Sequence, residues 1–255
     1  MKLLFVNDDG IGSPFLRCLY TAAKARGHHV TVCAPSSQQS TTSHHYHTSA
    51  EITAHPLTLP DTDAAWSIDG TPVDCVRIAL RSLCRNADAV LSGVNLGYNT
   101  GWPVFASGTV GAAREAVFTG VPGLAFSAEP RTPEDTLACF ADWAIALTEY
   151  VAVLPCALDG VWNINAPCVP LAKVQEPVLC DLQPCIYRDD YTCAADADGT
   201  LHFRQFGLAQ PAPMEGYDLA LLEQGHITCT VLRPGADTGA YANVLADMPK
   251  VGNFC

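Results

Sequence analysis

Two adjacent carboxylates follow the first apolar run of the chain, in the stretch FVNDDGIGSP. Asp8 and Asp9 come directly after Lys2–Val6, a run that predicts a buried strand. Adjacent carboxylates repel each other, and a divalent cation bound between them removes that repulsion. Oxygen ligands favour Mg²⁺, Mn²⁺ or Ca²⁺ over zinc. The pair therefore has two interpretations, a hard-metal site or a solvated turn built from Asp and Gly.

Two later stretches carry groups suited to binding a metal or an anion. SGVNLGYNTG supplies the amide oxygens of Asn95 and Asn99 on a glycine-rich backbone. SGTVGAAREA places Ser107, Gly108 and Thr109 at a predicted helix N-terminus, where backbone N–H groups and hydroxyls can face an anion. An ordinary turn and an ordinary helix cap are the alternatives. Together the stretches indicate phosphate chemistry, although the chain contains no Walker motif and no GxGxxG.

Three histidines lie in a polar loop that follows the second predicted strand. His44, His45 and His47 form the cluster HHYH, and no acidic residues accompany them at the spacing of a metal site. We therefore expect solvent-exposed side chains that flank a substrate crevice, rather than metal ligands.

Short apolar runs alternate with helical patterns through the first half of the chain. This alternation predicts βαβ units and a mostly parallel sheet flanked by helices. Ligands bind such sheets outside the carboxyl ends of the strands, so the polar stretches above should converge on one crevice. The predicted strands are 2–6, 29–34, 87–92, 122–127 and 161–166, with a strand pair within 51–59. The predicted helices are 13–26, one capped by Thr71 and Asp74, 107–118 and 133–153.

The character of the chain changes after Pro167, where prolines become frequent and helical patterns rare. We expect residues 1–167 to form the metal- and phosphate-binding core. Residues 168–255 then form a smaller β-rich extension that does not fold independently, with a strand at 226–234. The tail beyond Gly235 has too little apolar content to fold alone and is expected to pack on a partner subunit.

Composition limits the classes of function. The chain has 255 residues, 49% of them hydrophobic, and a net charge of −12, which argues against a basic nucleic-acid-binding face. The apolar run before Asp8 is too short for a signal peptide or a membrane span, so a cytoplasmic protein that binds neither nucleic-acid duplex nor membrane is expected. The twelve cysteines are scattered without a CxxC pair, which favours buried reduced thiols over a zinc site.

Several blocks of this chain, taken in order, resemble the SurE family, stationary-phase survival proteins that are metal-dependent 5'/3'-nucleotidases. The similarity extends over the first two thirds of the chain and more loosely over the segment from Gly216. The matching blocks are VNDDGI, GTPVDCVRIAL, LSGVNLGYNTG, SGTVGAAREA, VPGLAFS and NINAP.

The resemblance implies a Rossmann-like fold with a C-terminal extension exchanged between subunits of a homodimer or homotetramer. It implies nucleoside monophosphates as substrates, with short polyphosphate in some members, and one divalent metal per subunit, Mn²⁺ or Mg²⁺ with Ca²⁺ as an alternative. The metal ligands carried over are Asp8, Asp9, Ser40 and Asn95. The phosphate-binding residues carried over are Asn99, Ser107, Gly108 and Thr109.

The loop that carries Ser40 departs from the family pattern. It reads APSSQQST where Ala-Pro-Asp-Arg-x-Arg-Ser-Gly is usual, so two arginines are missing. We expect the metal to activate a water for attack on phosphorus, with Asp8 or Asp9 accepting its proton. One alternative is a SurE-like protein that binds metal and nucleotide with weakened catalysis. Another is a receiver-like signalling module, against which the serines at strand ends 92 and 127 argue, because that module needs an aspartate and a lysine there.

Overall fold

The computed structural model describes residues 1–185, 190–206 and 212–233. The strands are β1 (Lys2–Val6), β2 (His29–Pro35), β3 (Ala54–Leu57), β4 (Ala64–Ile68), β5 (Ala89–Leu96), β6 (Gly123–Ala128), β7 (Val161–Ala166), β8 (Gln175–Leu179), β9 (Asp190–Ala195), β10 (Leu201–Phe206) and β11 (His226–Leu232). The helices are α1 (Pro14–Ala25), α2 (Pro72–Ile78), α3 (Gly108–Phe118), α4 (Glu134–Val151) and α5 (Asp218–Glu223).

Within these residues nine strands form one mixed sheet in the order β3-β4-β2-β1-β5-β6-β7-β11-β8. The strands from β4 to β7 in that order are parallel to their neighbours, as the βαβ pattern predicts. β3 and β11 pair antiparallel with β4 and β7. The α/β fold class expected from the sequence is confirmed.

Helices cover both faces of the sheet. Leu3 and Phe5 of β1 face the cluster that includes α1 and α4, whereas Leu4 and Val6 face the one that includes α2 and α3. All four side chains are fully buried, because successive side chains of a strand point to opposite faces and both faces are covered. The continuous apolar run before Asp8 follows from this arrangement.

The N-terminus of α2 has the predicted capping box. The hydroxyl of Thr71 accepts a hydrogen bond from the backbone N–H of Asp74 at 3.1 Å, and the Asp74 carboxylate accepts one from the backbone N–H of Thr71 at 2.9 Å. Pro72 is the first residue of the helix. These local signals place the helix start where the sequence predicts it.

Two predicted strand boundaries are wrong. The strand pair expected within 51–59 is formed instead by β3 and β4, with Ala54 opposite Ile68. β5 does not end at residue 92 but continues to Leu96, because β6 continues to pair with it and places Ser127 opposite Asn95. Gly93 makes this extension feasible: its φ is +123°, and a Cβ there would lie 2.1 Å from the carbonyl oxygen of Phe126.

The segment after residue 167 contributes to the main sheet. The predicted strand at 226–234 is confirmed as β11, which lies between β7 and β8. β9 and β10 form a separate two-stranded hairpin. The expected tail beyond Gly235 lies outside the described residues, and the division into 1–167 and 168–255 stays a prediction about folding.

The cysteines of the described part of the chain are all free thiols. Cys33 and Cys75 are buried as expected, but Cys139, Cys156 and Cys193 are exposed, so burial accounts for only part of the set. In the same part of the chain, no helix has the length and apolar character that crossing a bilayer requires.

Candidate functional site

The carboxylate of Asp8 is buried directly after β1. Its side chain is 4% exposed, and the hydroxyl of Thr109, at the start of α3, donates a hydrogen bond to its Oδ1. Burial is the main cause that raises the pKa of Asp8 to about 6; hydrogen bonding from Thr109 opposes the rise, and the charge of Asp9 adds to it. Asp8 therefore carries its negative charge at a cost that its protein partners only partly offset.

Asp9 connects β1 to the loop at the end of β5. Its Oδ2 accepts a hydrogen bond of 3.0 Å from the backbone N–H of Leu96, and burial raises its pKa above the ordinary value. The neighbouring Asn95 donates its Nδ2 to the carbonyl of Gly97 at 2.8 Å. That bond uses the amide nitrogen, so the amide oxygen of Asn95 is the half of the side chain left for a ligand.

The loop after β2 also reaches the acidic pair. The backbone N–H of Gln39 donates to the carbonyl of Asp8 at 2.7 Å. Ser40, the next residue, is exposed, and its hydroxyl accepts a hydrogen bond from the Gln38 side chain at 3.1 Å. Ser40 therefore lies on the solvent side of the site, while Asp8 lies on its buried side.

The N-terminus of α3 lies against Asp8 and this loop. A Cβ at Gly108 would come within 3.0 Å of the Asp8 side chain, of the Gln39 carbonyl and of the Thr42 hydroxyl, so a glycine permits the close approach. Ser107 caps the helix by accepting from the backbone N–H of Val110 at 3.2 Å. The capping interpretation of Ser107 is thus confirmed, and the backbone N–H of Thr109, in the first turn of the helix, bonds to the Asp8 carboxylate.

Asn99 is held by the ends of β6 and β7. Its backbone N–H donates to Asn165 at 2.8 Å, and its carbonyl accepts from the side chains of Asn163 and Asn165 at 2.9 and 3.0 Å. Its own amide donates to the Ser127 hydroxyl at 2.8 Å. Ser127 lies opposite Asn95, so Asn99 is anchored beside the predicted metal ligands.

Sequence reasoning assigned no role to Asn163, Asn165 or Ser127. The signal was present, because two asparagines spaced by two in NINA lie on the same face of a strand. A strand interior with two asparagines at this spacing needs polar partners, and the loop of Asn99 supplies them.

The donor set fits a cation that prefers oxygen ligands. Among the described residues, neither Asp8 nor Asp9 has a lysine, arginine or histidine within ion-pair distance. The fully buried Asn7 donates its Nδ2 to the Gly10 carbonyl, but its Oδ1 has no hydrogen-bond partner in that part of the chain. Among all described residues there is no cluster of three or more His, Cys, Asp or Glu side chains suited to a metal. Carboxylate, amide and hydroxyl oxygens are therefore what the site offers.

The histidines of the HHYH cluster do not all lie free in solvent. His44 is half-buried: its Nε2 lies 3.0 Å from Glu115 Oε2, and Arg114 donates to its Nδ1 at 3.0 Å. His47 Nδ1 lies 2.7 Å from Asp74 Oδ2. His45 and His47 are exposed as expected, and their rings contact each other with centroids 5.0 Å apart. His44 and His47 attach the loop of Ser40 to α3 and α2.

Comparisons with known proteins give one consistent result. The family model described as survival protein SurE matches residues 3–189. The 5'-nucleotidase SurE of Desulfovibrio desulfuricans is 37% identical over 238 residues, which is 91% of this chain and 92% of the relative. The 5'-nucleotidase SurE of Solidesulfovibrio magneticus is 37% identical over 256 residues, which is 96% of this chain and 97% of the relative. The crystal structure of the SurE protein from Aquifex aeolicus superposes with a TM-score of 0.79 at 26% identity, over 97% of this chain and 99% of the other.

Proposed function

The chain belongs to the SurE family, and we propose on that premise that it is a metal-dependent 5'-nucleotidase. It hydrolyses nucleoside 5'- and 3'-monophosphates to nucleoside and phosphate, and short polyphosphate is a second substrate class to test. One observation carries the proposal from the structural side. The buried Asp8 and the half-buried Asp9 have no cationic partner among the described residues, and Asp8 contacts the N-terminus of α3, so a cation and a phosphate group would be neighbours there.

We assign the metal to Asp8, Asp9, Asn95 and Ser40. The raised pKa values of the two aspartates and the unused oxygen of Asn95 support the assignment, and the exposed Ser40 completes it from the solvent side. When bound, Mn²⁺ or Mg²⁺, with Ca²⁺ as the alternative, neutralises charge on the phosphate and polarises a water.

The chain's own groups bind the phosphate and move the proton. The backbone N–H of Gly108 and the hydroxyl of Ser107 would meet the phosphate at the positive end of a helix, beside Thr109; the Ser107 N–H itself donates to the Val104 carbonyl at 3.2 Å. We also assign Asn99 to the phosphate site. Its backbone is held by Asn163 and Asn165, which fixes the loop after β5. Asp8 is the candidate proton acceptor, because its buried carboxylate lies against the N-terminus of α3, where the phosphate would bind.

A SurE-like protein that binds metal and nucleotide without turnover is the second candidate. The observation that favours it is the loop of Ser40, which lacks the two arginines of the family pattern and offers serine and glutamine in their place. The receiver-like alternative is not favoured, since the family match covers 187 of the 255 residues.

Phosphate release from a panel of nucleoside monophosphates, with Mn²⁺, Mg²⁺ or Ca²⁺, tests the proposal. We expect release by the parent chain and a loss of at least about a hundredfold in the Asp9→Asn variant. Asp159→Asn, an exposed aspartate in the loop before β7, serves as the matched control and should behave as the parent. Metal and nucleotide binding by the parent without release would favour the binding protein, and full activity of Asp9→Asn would contradict the site.

We also propose that the extension at 168–255 makes a homodimer or homotetramer. The support is the hairpin of β9 and β10, whose residues are all exposed and include Tyr191, Leu201, Phe203 and Phe206. Apolar side chains on an exposed hairpin are typical of a surface that another subunit covers. Sedimentation equilibrium of the parent and of Phe203→Glu tests this, and a monomeric parent would contradict it. The cytoplasmic location stays a prediction.

A further inference from the structure

A cavity of about 480 Å³ opens at the carboxyl ends of β6 and β7. Tyr98 forms one wall, and Glu129 and Arg131, which directly follow β6, form another. α5 supplies Leu222 and Glu223. The cavity thus combines an aromatic ring, an aliphatic surface and charged groups, while neither Asp8 nor Asp9 lines it.

This cavity adjoins the proposed phosphate site through the backbone. Tyr98 is bonded directly to Asn99, and adjacent Cα atoms are only ~3.8 Å apart. The backbone N–H of Gly97 donates to the carbonyl of Ala128 at 2.8 Å, which fixes the start of the Tyr98 loop next to Glu129. If the phosphate lies beside Asn99, the neighbouring Tyr98 is the first candidate for contact with the other end of the same molecule.

The charges of the cavity disfavour a second phosphate. Glu129 and Glu223 carry two negative charges and Arg131 one positive charge, so an anion would be repelled on balance. Carboxylates accept hydrogen bonds from neutral N–H and O–H groups instead. The lining suits an uncharged ligand that has donors at its edges.

The hydroxyl of Tyr98 is held in position and keeps its proton. The backbone N–H of Cys168 donates to it at 2.9 Å, so the phenolic proton stays available to donate elsewhere. Burial raises the pKa of Tyr98 to about 12, which keeps the phenol neutral at physiological pH. The ring is half-buried, with its position set by this bond.

We propose that this cavity binds the nucleoside part of the substrate, with the base against Tyr98 and Leu222 and its N–H and O–H groups donating to Glu129 and Glu223. Tyr98 is then a specificity-determining residue. The assignment rests on the proposed nucleotidase function for its substrate class. Because a purine covers more of the ring than a pyrimidine, purine nucleosides bind more tightly.

Binding of free nucleosides to the metal-free protein tests the cavity without any turnover. Calorimetric titration with adenosine, guanosine, cytidine and ribose should show purine nucleosides binding and ribose not binding. Tyr98→Ala should weaken nucleoside binding at least about fivefold, since base–aromatic stacking is lost. Tyr150→Ala, which removes an exposed tyrosine from α4, should leave it unchanged. Equal binding by Tyr98→Ala, or none by the parent, would overturn the proposal.

Kinetics separate the cavity from the phosphate site. The ratio of kcat/KM for a purine monophosphate to that for ribose 5-phosphate should fall about tenfold in Tyr98→Ala through KM, and less in Tyr98→Phe, which retains the ring. An equal fall for both substrates would mean that Tyr98 only supports the Asn99 loop, and the proposal would fail. A parent that binds nucleosides but releases no phosphate would contradict the nucleotidase function and leave the cavity assignment standing.

Discussion

At the amino ends of the parallel strands, acidic side chains meet cations of the same chain. Lys24 Nζ lies 2.7 Å from Asp63 Oδ2, and Arg26 Nη2 lies 2.8 Å from Glu149 Oε2. The hydrogen bonds from Lys24 and Arg26 lower the pKa values of Asp63 and Glu149. These carboxylates are ionised and neutralised within the fold.

At the carboxyl ends, Asp8 and Asp9 receive hydrogen bonds only from a hydroxyl and from backbone N–H groups of the described residues. Burial therefore raises their pKa values. The pKa values of acidic side chains are thus lowered at the amino edge and raised at the carboxyl edge. Charge that the chain neutralises stabilises the fold, and charge that it leaves uncompensated is available to a ligand.

Isosteric neutralisation at the two edges should separate function from stability. Asp8→Asn removes a proposed metal ligand and proton acceptor, so phosphate release should fall at least about a hundredfold. Glu149→Gln makes the matched change at the amino edge and should leave the rate within about twofold, because it touches no part of the proposed site. Steady-state kinetics with a nucleoside monophosphate measure both, and equal rate losses would remove the functional contrast between the edges.

The carboxyl edge also depends on close backbone contact. A Cβ at Gly111 would lie 2.0 Å from the carbonyl oxygen of Ser43, in the loop attached to α3. Gly111→Ala should therefore lower the free energy of unfolding by about 2 kcal/mol, despite the better helix propensity of alanine. Gly12→Ala is the control, because nothing lies within 4 Å of its Cβ position. Urea unfolding measures the free energy of unfolding of both variants. Similar values for the two would contradict the close contact at Gly111.

In the metal-free protein, the carboxylates at the two edges should change the free energy of unfolding in opposite directions as pH rises. Because the pKa of Asp8 is raised from 3.8 to about 6 in the folded state, the fold binds an extra proton there and loses stability as pH rises through that window. The pKa of Glu149 is lowered from 4.5, so its contribution is complete above 4.5 and is lost as pH falls through the folded value.

Unfolding of the EDTA-treated parent, Asp8→Asn and Glu149→Gln from acid to neutral pH measures these two contributions. Relative to the parent, Asp8→Asn should gain on the order of 3 kcal/mol as pH rises to neutral, because the pKa of Asp8 is raised from 3.8 to about 6 in the fold. Glu149→Gln should lose stability only above the acidic window. If both variants changed in stability relative to the parent in the same direction as pH rises, the proposed difference between the two edges would be contradicted.

The smallest expected effect concerns Lys24. Its ion pair with Asp63 is partly exposed, so Lys24→Met should cost less than about 1 kcal/mol, and the difference should vanish near about 1 M salt. Chemical unfolding at low and high salt measures this. A difference that persists at high salt would point to packing of the lysine stem instead of charge.

Local signals made much of the fold predictable. The capping box of α2, the apolar run of β1 and the alternation of strand and helix patterns led to the right elements and to the right fold class. The predicted pairing within 51–59 failed because the partner of β3 lies beyond a turn, at Ala64–Ile68. The end of β5 was missed because its last residues are polar and glycine-rich, and only the pairing with β6 makes them a strand.

The sequence by itself determined which oxygen-rich groups follow each strand, and so the class of chemistry at Asp8 and Asp9. Only the tertiary structure decided that the Thr109 hydroxyl lies on Asp8, that Asn163 holds Asn99, and that Tyr98 lines a cavity with Glu129 and α5. The first two pairs are separated by 101 and 64 residues along the chain. Contacts between such distant residues depend on the order of strands in the sheet, which local propensity does not specify.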